Sequence, residues 1–266
     1  MVAGDRILMH LQGRSALVVG GTSGVGEATA ERLVAEGCTV VITGRDVVKG
    51  RAAAQRIGAV FCRADVRDVD AMIAAVDTAA DLGAMGVLVH CAGVGHAART
   101  IGRDCAYSSA HSLDDFRETI DINLVGTFNA VRLAASAIAR TDPDELGQRG
   151  AIVLTSSLAA MVGQTGQAAY AASKAGQLGL LLPLARDLSS KGIRVNAVVP
   201  GGMDTAIYGP EGPSEALRRA VSDAAIFPKR MGRPAEFASL VVELLRNDYI
   251  NASAVELAAG TVQLPR

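Results

Sequence analysis

Between a run of small apolar and β-branched residues, Ser15-Ala16-Leu17-Val18-Val19, and a helical stretch from Glu27 to Glu36, the chain reads Gly20-Gly21-Thr22-Ser23-Gly24-Val25-Gly26. This segment constrains the fold more than any other. Glycines at G-x3-G-x-G spacing let a backbone turn sharply from strand to helix and approach another group closely. The helix that follows presents unpaired N–H groups and the positive end of its dipole. Together they make a seat for a pyrophosphate, with Gly20, Thr22, Ser23, Gly24, Val25 and Gly26 as its candidate residues. The spacing is not the G-x-G-x-x-G of the Rossmann fingerprint, and an ordinary strand-to-helix turn is the alternative. Position favours the seat, because the glycines follow the first strand and open a helix.

The rest of the chain repeats that alternation. Val40-Val41-Ile42, Ala59-Val60-Phe61-Cys62, Val87-Leu88-Val89-His90, Ala151-Ile152-Val153-Leu154 and Val195-Asn196-Ala197-Val198-Val199 read as strands. Residues 47–57 and 69–80 read as helices, and Gly37 ends the first helix. The strands are continuous apolar runs rather than alternating ones, which implies burial on both faces. The expectation is a doubly wound α/β Rossmann fold, one parallel sheet with helices on both faces, in a single domain over residues 1–266. Composition agrees: half of the residues are hydrophobic but only 3% are aromatic and none is Trp. Such a core packs Ala, Val, Leu, Ile and Gly tightly. No repeat or linker interrupts it.

A formal net charge of -1 leaves no electrostatic footprint for nucleic acid or an anionic membrane. Cys38, Cys62, Cys91 and Cys105 form no CxxC pair and no metal-ligand set with histidine, so reduced, mostly buried thiols are expected. The N-terminus lacks the apolar core of a signal peptide, and no apolar run reaches the ~18 to 20 residues of a membrane span. A cytoplasmic protein is the expectation.

The end of the second strand bears on the choice of dinucleotide. A carboxylate there holds the ribose 2′-hydroxyl of NAD. Here the strand runs into Thr43-Gly44-Arg45, and a guanidinium suits a 2′-phosphate. NADP(H) is favoured, with NAD(H) open if Arg45 is only solvated and Asp46 takes the ribose. Asp65 and Val66 follow the third strand, where Asp65 either meets the adenine end or caps the next helix.

Tyr170-Ala171-Ala172-Ser173-Lys174 places a phenol and an ammonium four residues apart, on one face of a helix. Tyrosine has an ordinary pKa of ~10, so acting as a base near neutrality requires cations beside it. Lys174 and an oxidised nicotinamide are the expected cations. Thr155-Ser156-Ser157 ends a buried strand, where ligands bind in open α/β sheets, and Ser157 is placed to hold a substrate oxygen. Asn123 is placed to position a water linking Lys174 to solvent. A surface Tyr–Lys pair is the alternative.

From about Leu11 to its end the sequence resembles the short-chain dehydrogenase/reductase family. The resemblance rests on Gly20, Gly24 and Gly26, on Cys91-Ala92-Gly93, Asn123 and Ser157, on Tyr170 with Lys174, and on Pro200-Gly201. It implies a seven-stranded parallel sheet, a homotetramer, and hydride transfer between NAD(P) and a carbonyl or alcohol. It further implies Tyr170 as general acid/base, Ser157 as hydrogen-bonder to the carbonyl oxygen, Lys174 as ribose binder and pKa tuner, and Asn123 in a proton relay. Cys91, Ala92, Gly93, Pro200, Gly201, Met203 and Thr205 are expected to border the cofactor.

Residues 121–129, 166–170, 182–188 and 227–232, with the long loop 94–112, resemble the subgroup acting on 3-hydroxyacyl-CoA. Gln164 matches a substrate-contacting glutamine there. The sequence departs from the pattern at Val19, in place of a threonine, and at His90, in place of an asparagine. It departs again at Gly44, where the NAD-using subgroup has an aspartate.

Loops 94–112 and 201–227 are expected to frame a small-molecule substrate. Arg99 and Arg103 in the first are either coenzyme A contacts or solvated. Met203, Ile207 and Tyr208 in the second line an apolar pocket or simply pack. Another alcohol, ketone or steroid remains an alternative substrate, and a non-catalytic cofactor-binding subunit an alternative role.

Overall fold

A computed structural model describes residues 8–209 and 211–261. The N-terminal residues 1–7, Pro210 in the second substrate loop and the tail 262–266, which the readings above include, lie outside the described residues. In chain order the elements are β1 (Arg14–Val19), α1 (Gly24–Ala35), β2 (Thr39–Gly44), α2 (Val47–Ile57), β3 (Val60–Arg63), α3 (Val69–Asp81), β4 (Ala84–His90), α4 (Leu113–Ile120), α5 (Gly126–Ile138), β5 (Gly150–Thr155), α6 (Ala168–Ser189), β6 (Ile193–Pro200), α7 (Glu215–Ala224), α8 (Pro234–Arg246) and β7 (Ala254–Leu257).

The strands form one seven-stranded parallel sheet in the order β3-β2-β1-β4-β5-β6-β7. Strand order reverses between β1 and β4, which opens a crevice at their C-terminal ends. The expected Rossmann architecture is therefore present.

The continuous apolar strands supply two cores at once. On one face Leu17, Leu88, Ile152 and Val195 pack with Met72 of α3, Ala130 of α5 and Leu181 of α6. Their neighbours Ala16, Val87, Ala151 and Val198 point the other way, to Leu33 of α1, Ala53 of α2 and Phe237 of α8. Side chains alternate across a strand, so a strand buried on both faces needs apolar residues at every position.

Local signals set the helix ends. The Asp46, Asp68, Ser112 and Ser214 side chains accept backbone N–H groups at the starts of α2, α3, α4 and α7. Gly58 closes α2 at φ 74°.

Three features lie outside the sequence reading. Strand β7 has alternate residues exposed at the sheet edge and gives only a weak apolar run. The second half of the expected loop 201–227 is helix α7, started by Ser214. Between α4 and α5 the chain widens into a π turn at Asp121–Val125, closed by the Gly126 N–H donating to the Asp121 carbonyl. The four cysteines are free thiols, but only Cys38 is buried; Cys62 and Cys91 are half-buried and Cys105 is exposed. Among the described residues no helix is long and apolar enough to cross a membrane.

Candidate active site

The crevice at the strand reversal is a cleft of about 500 Å³. Gly20, Thr22, Ser23, Gly24, Val25, Gly26, Arg45, Asp65, Val66, Cys91, Ala92, Gly93 and Thr205 line it together. Added side chains would fill its floor. A Cβ on Gly20, whose φ is +78°, would lie 2.6 Å from the Ala92 nitrogen, and one on Gly26 would lie 2.2 Å from the Gly20 oxygen. The bare glycines and the N-terminus of α1 fit a dinucleotide pyrophosphate.

The carboxylates near the ribose end are committed elsewhere. Asp46 accepts the Val48 and Lys49 N–H groups, each at 3.0 Å, and so serves α2. Arg45 beside it is exposed on the cleft. Asp65 receives the Arg67 side chain at 3.0 and 2.7 Å, which holds its carboxyl down at about 2. The helix-capping alternative for Asp65 is not realised, because Asp68 caps α3.

Tyr170 and Lys174 adjoin the same cleft from α6. Cβ atoms added to Gly95 and Gly93 would lie 3.9 Å from the Tyr170 ring and 3.5 Å from Lys174 Nζ. Ser157, just beyond β5, is close enough to the Tyr170 phenol to favour its ionised form. The Ser157 Oγ accepts the Ala159 N–H at 3.2 Å, which fixes the hydroxyl.

Burial raises the phenol pKa, and Ser157 opposes that shift. The expected lowering by Lys174 is not present in this arrangement. The ammonium lies 5.8 Å from the ring centroid and donates to the Thr155 carbonyl at 2.7 Å and to Gln177 Oε1 at 3.2 Å. Burial brings Lys174 itself down to about 8.

Asn123 sits in the π turn and is fully buried. Its side chain clasps the start of loop 94–112: Oδ1 accepts the Val94 N–H at 2.8 Å, and Nδ2 donates to the Val94 carbonyl at 2.9 Å and to Ser173 Oγ at 3.0 Å. Its own carbonyl accepts from Thr127 Oγ1 at 2.6 Å and from Gln177 Nε2 at 2.7 Å.

Other expected residues stand apart. Met203 is 5% exposed and belongs to the core packed on α8 rather than to the cleft, because its strand-like bridge to Gly232 turns it inward. Pro200 and Gly201 end β6, where the Gly201 N–H donates to Leu257, and neither lines the cleft. Gln164, Arg99 and Arg103 are exposed. Loop 94–112 is tied to the segment before α6 by the Ala98 N–H on the Gly166 carbonyl. Ile207 lines the cleft, and burial, with the Tyr170 phenol nearby, raises the Tyr208 pKa.

The cleft also takes in Val94, Gly95, His96 and Ile122. Gln177, Thr127 and His90 form a polar layer behind Lys174 that the motifs did not mark. The available signal was a lone Gln three residues after Lys174 on an otherwise Ala/Leu-rich helix.

Residues 14–216 match the family model described as short chain dehydrogenase. The chain belongs to the short-chain dehydrogenase family. This short-chain dehydrogenase is 41% identical over 250 residues to 3-hydroxyacyl-CoA dehydrogenase type-2 of Bos taurus, covering 93% of this chain and 94% of the bovine protein. It is 40% identical over 252 residues to the protein of the same name in Drosophila melanogaster, covering 94% and 97%. Among solved structures, 3-hydroxyacyl-CoA dehydrogenase type-2 from Mycobacterium avium is 43% identical with a TM-score of 0.89, covering 96% of this chain and 98% of that one. The short-chain dehydrogenase is thus an oxidoreductase acting on CH–OH groups, and its family implies a nicotinamide cofactor.

Proposed function

We propose that this short-chain dehydrogenase interconverts 3-hydroxyacyl and 3-oxoacyl thioesters of the coenzyme A kind, with NADP(H) as cofactor and Tyr170 as general acid/base. The observation that carries the reading is the meeting of Ser157 and the Tyr170 phenol beside the glycine-floored cleft, with Lys174 one helical turn on. The names of the relatives supply the substrate class.

Residues 20–26 would hold the pyrophosphate and Arg45 the 2′-phosphate. When bound, the cofactor supplies or accepts the hydride. In the reductive direction Ser157, its Oγ already accepting the Ala159 N–H, would donate a hydrogen bond to the substrate carbonyl oxygen. Tyr170 gives its phenolic proton to that oxygen as the alcohol forms, and in the oxidative direction its phenolate takes the proton back. Lys174, 5.8 Å from the ring centroid, would favour that phenolate when charged and turned toward it. Loops 94–112 and 201–227 would exclude water above Tyr170, in a single 1–266 domain that assembles as a homotetramer.

Purified protein with acetoacetyl-CoA and NADPH or NADH tests this through loss of reduced-nicotinamide absorbance. Tyr170→Phe is expected to lower kcat by about 10² to 10⁴-fold, the usual worth of a positioned general acid. Unchanged turnover in that variant overturns the mechanism. Turnover of other ketones but not of the thioester overturns the substrate class.

A further inference from the structure

Gln177 lies on α6 three residues after Lys174, and it is fully buried. Its amide makes three hydrogen bonds and has no hydrogen left over. Oε1 accepts from Lys174 Nζ at 3.2 Å, and Nε2 donates to the Asn123 carbonyl and to Thr127 Oγ1, both at 2.7 Å. Thr127 Oγ1 also donates to the Asn123 carbonyl at 2.6 Å, and His90 Nδ1 lies 3.3 Å from the same hydroxyl.

Two consequences follow from valence. A carbonyl oxygen has two lone pairs, and Asn123 has given both to side-chain donors. An ammonium has three hydrogens, and Lys174 has given two of them rearward, to Thr155 and Gln177.

We propose that Gln177 is a positioning residue of the active site. It anchors the Lys174 ammonium from behind and closes the Asn123 carbonyl, so that one N–H of Lys174 is left to face Tyr170 and the cofactor cleft. This rests on Lys174 acting on Tyr170, as read above. The titratable groups facing Lys174 are Tyr170 on its own helix and His90 and Cys91 at the end of β4. Among the described residues no carboxylate is paired with it.

The sequence holds only four lysines, Lys49, Lys174, Lys191 and Lys229. A titration of the full chain followed by the ¹³Cε signals of its lysines therefore reads Lys174 directly, with Lys174→Arg as the assignment control. The wild-type Lys174 signal is expected to titrate near 8. Gln177→Met removes the acceptor while keeping the bulk, and should lower that midpoint by about one pH unit. Gln177→Glu keeps the acceptor and adds a charge, and should raise it by about one unit or more.

In turnover, the basic limb of the kcat profile should move with each midpoint. A Lys174 midpoint that stays put in both variants, or moves the same way in both, overturns the proposal. Should Gln177→Met not fold, an unmoved midpoint in Gln177→Glu overturns it alone. Loss of the thioester activity reading would leave this titration standing, because it needs no turnover.

Discussion

A Cβ placed on Gly44 would sit 2.7 Å from Cγ2 and 2.8 Å from Oγ1 of Thr22. The Thr22 side chain thus crowds the place where an NAD-binding aspartate would stand and would have to move to admit one. Arg45 is next in the chain and open to the cleft. NADPH should bind more tightly than NADH, and Arg45→Ala should remove most of that preference. A charge-assisted contact of ~1.5 to 3 kcal/mol corresponds to roughly 10- to 150-fold. Gly44→Asp alone should fold poorly, whereas Gly44→Asp with Thr22→Ala should accept NADH. Cofactor dissociation constants from fluorescence titration check each variant, and a wild-type preference for NADH contradicts the assignment.

Gly26 approaches the Gly20 carbonyl so closely that Gly26→Ala should abolish cofactor binding by prying the turn from α1. Gly179, on α6, has nothing within 4 Å of its added Cβ. Gly179→Ala should stabilise the protein by about 0.5 to 1 kcal/mol through helix propensity. Thermal denaturation with and without NADPH separates the two effects.

His90 is completely buried, its Nε2 has no hydrogen-bond partner, and burial with Lys174 nearby lowers its pKa from 6.5 to about 3. Between those values the unfolded chain takes up a proton that the folded chain does not. Stability should therefore fall as pH drops from about 6.5 toward 3. Asp65 and Glu236, held at about 2 by Arg67 and Arg230, add to the loss only below their ordinary values of 3.8 and 4.5. His90→Asn should flatten the decline between pH 6.5 and 4.5. Melting temperature against pH, variant beside wild type, is the measurement, and parallel curves would refute the assignment.

Arg194 is 6% exposed and donates to the carbonyls of Leu244, Leu245 and Ile250 and to Gln148 Oε1. It closes the end of α8 against β6. Arg194→Ala should cost about 3 kcal/mol or more, because it strands buried carbonyls and leaves Asp248 without its ion-pair partner. Arg194→Lys should recover little, since one ammonium cannot reach all four acceptors. Urea denaturation measures both.

What the sequence determined was local or periodic. Near-continuous apolar runs in the strands announced a two-faced parallel sheet, and G-x3-G-x-G between strand and helix announced the turn at its reversal. Tyr170 and Lys174 were legible because four residues make one helical turn. Tertiary structure decided what depends on distant partners. Ser157 meets Tyr170 only because β5 ends beside α6. Asn123 turned out to clasp Val94, 29 residues away, once a π turn had aimed it. Met203 went to the core, and Asp68 rather than Asp65 capped a helix. The layer of Gln177, Thr127 and His90 behind Lys174 joins α6, α5 and β4, and no spacing along one chain segment encodes such a meeting. It comes from buried polar groups on separate elements, Gln177 and Thr127 sharing the Asn123 carbonyl and Gln177 also taking up Lys174.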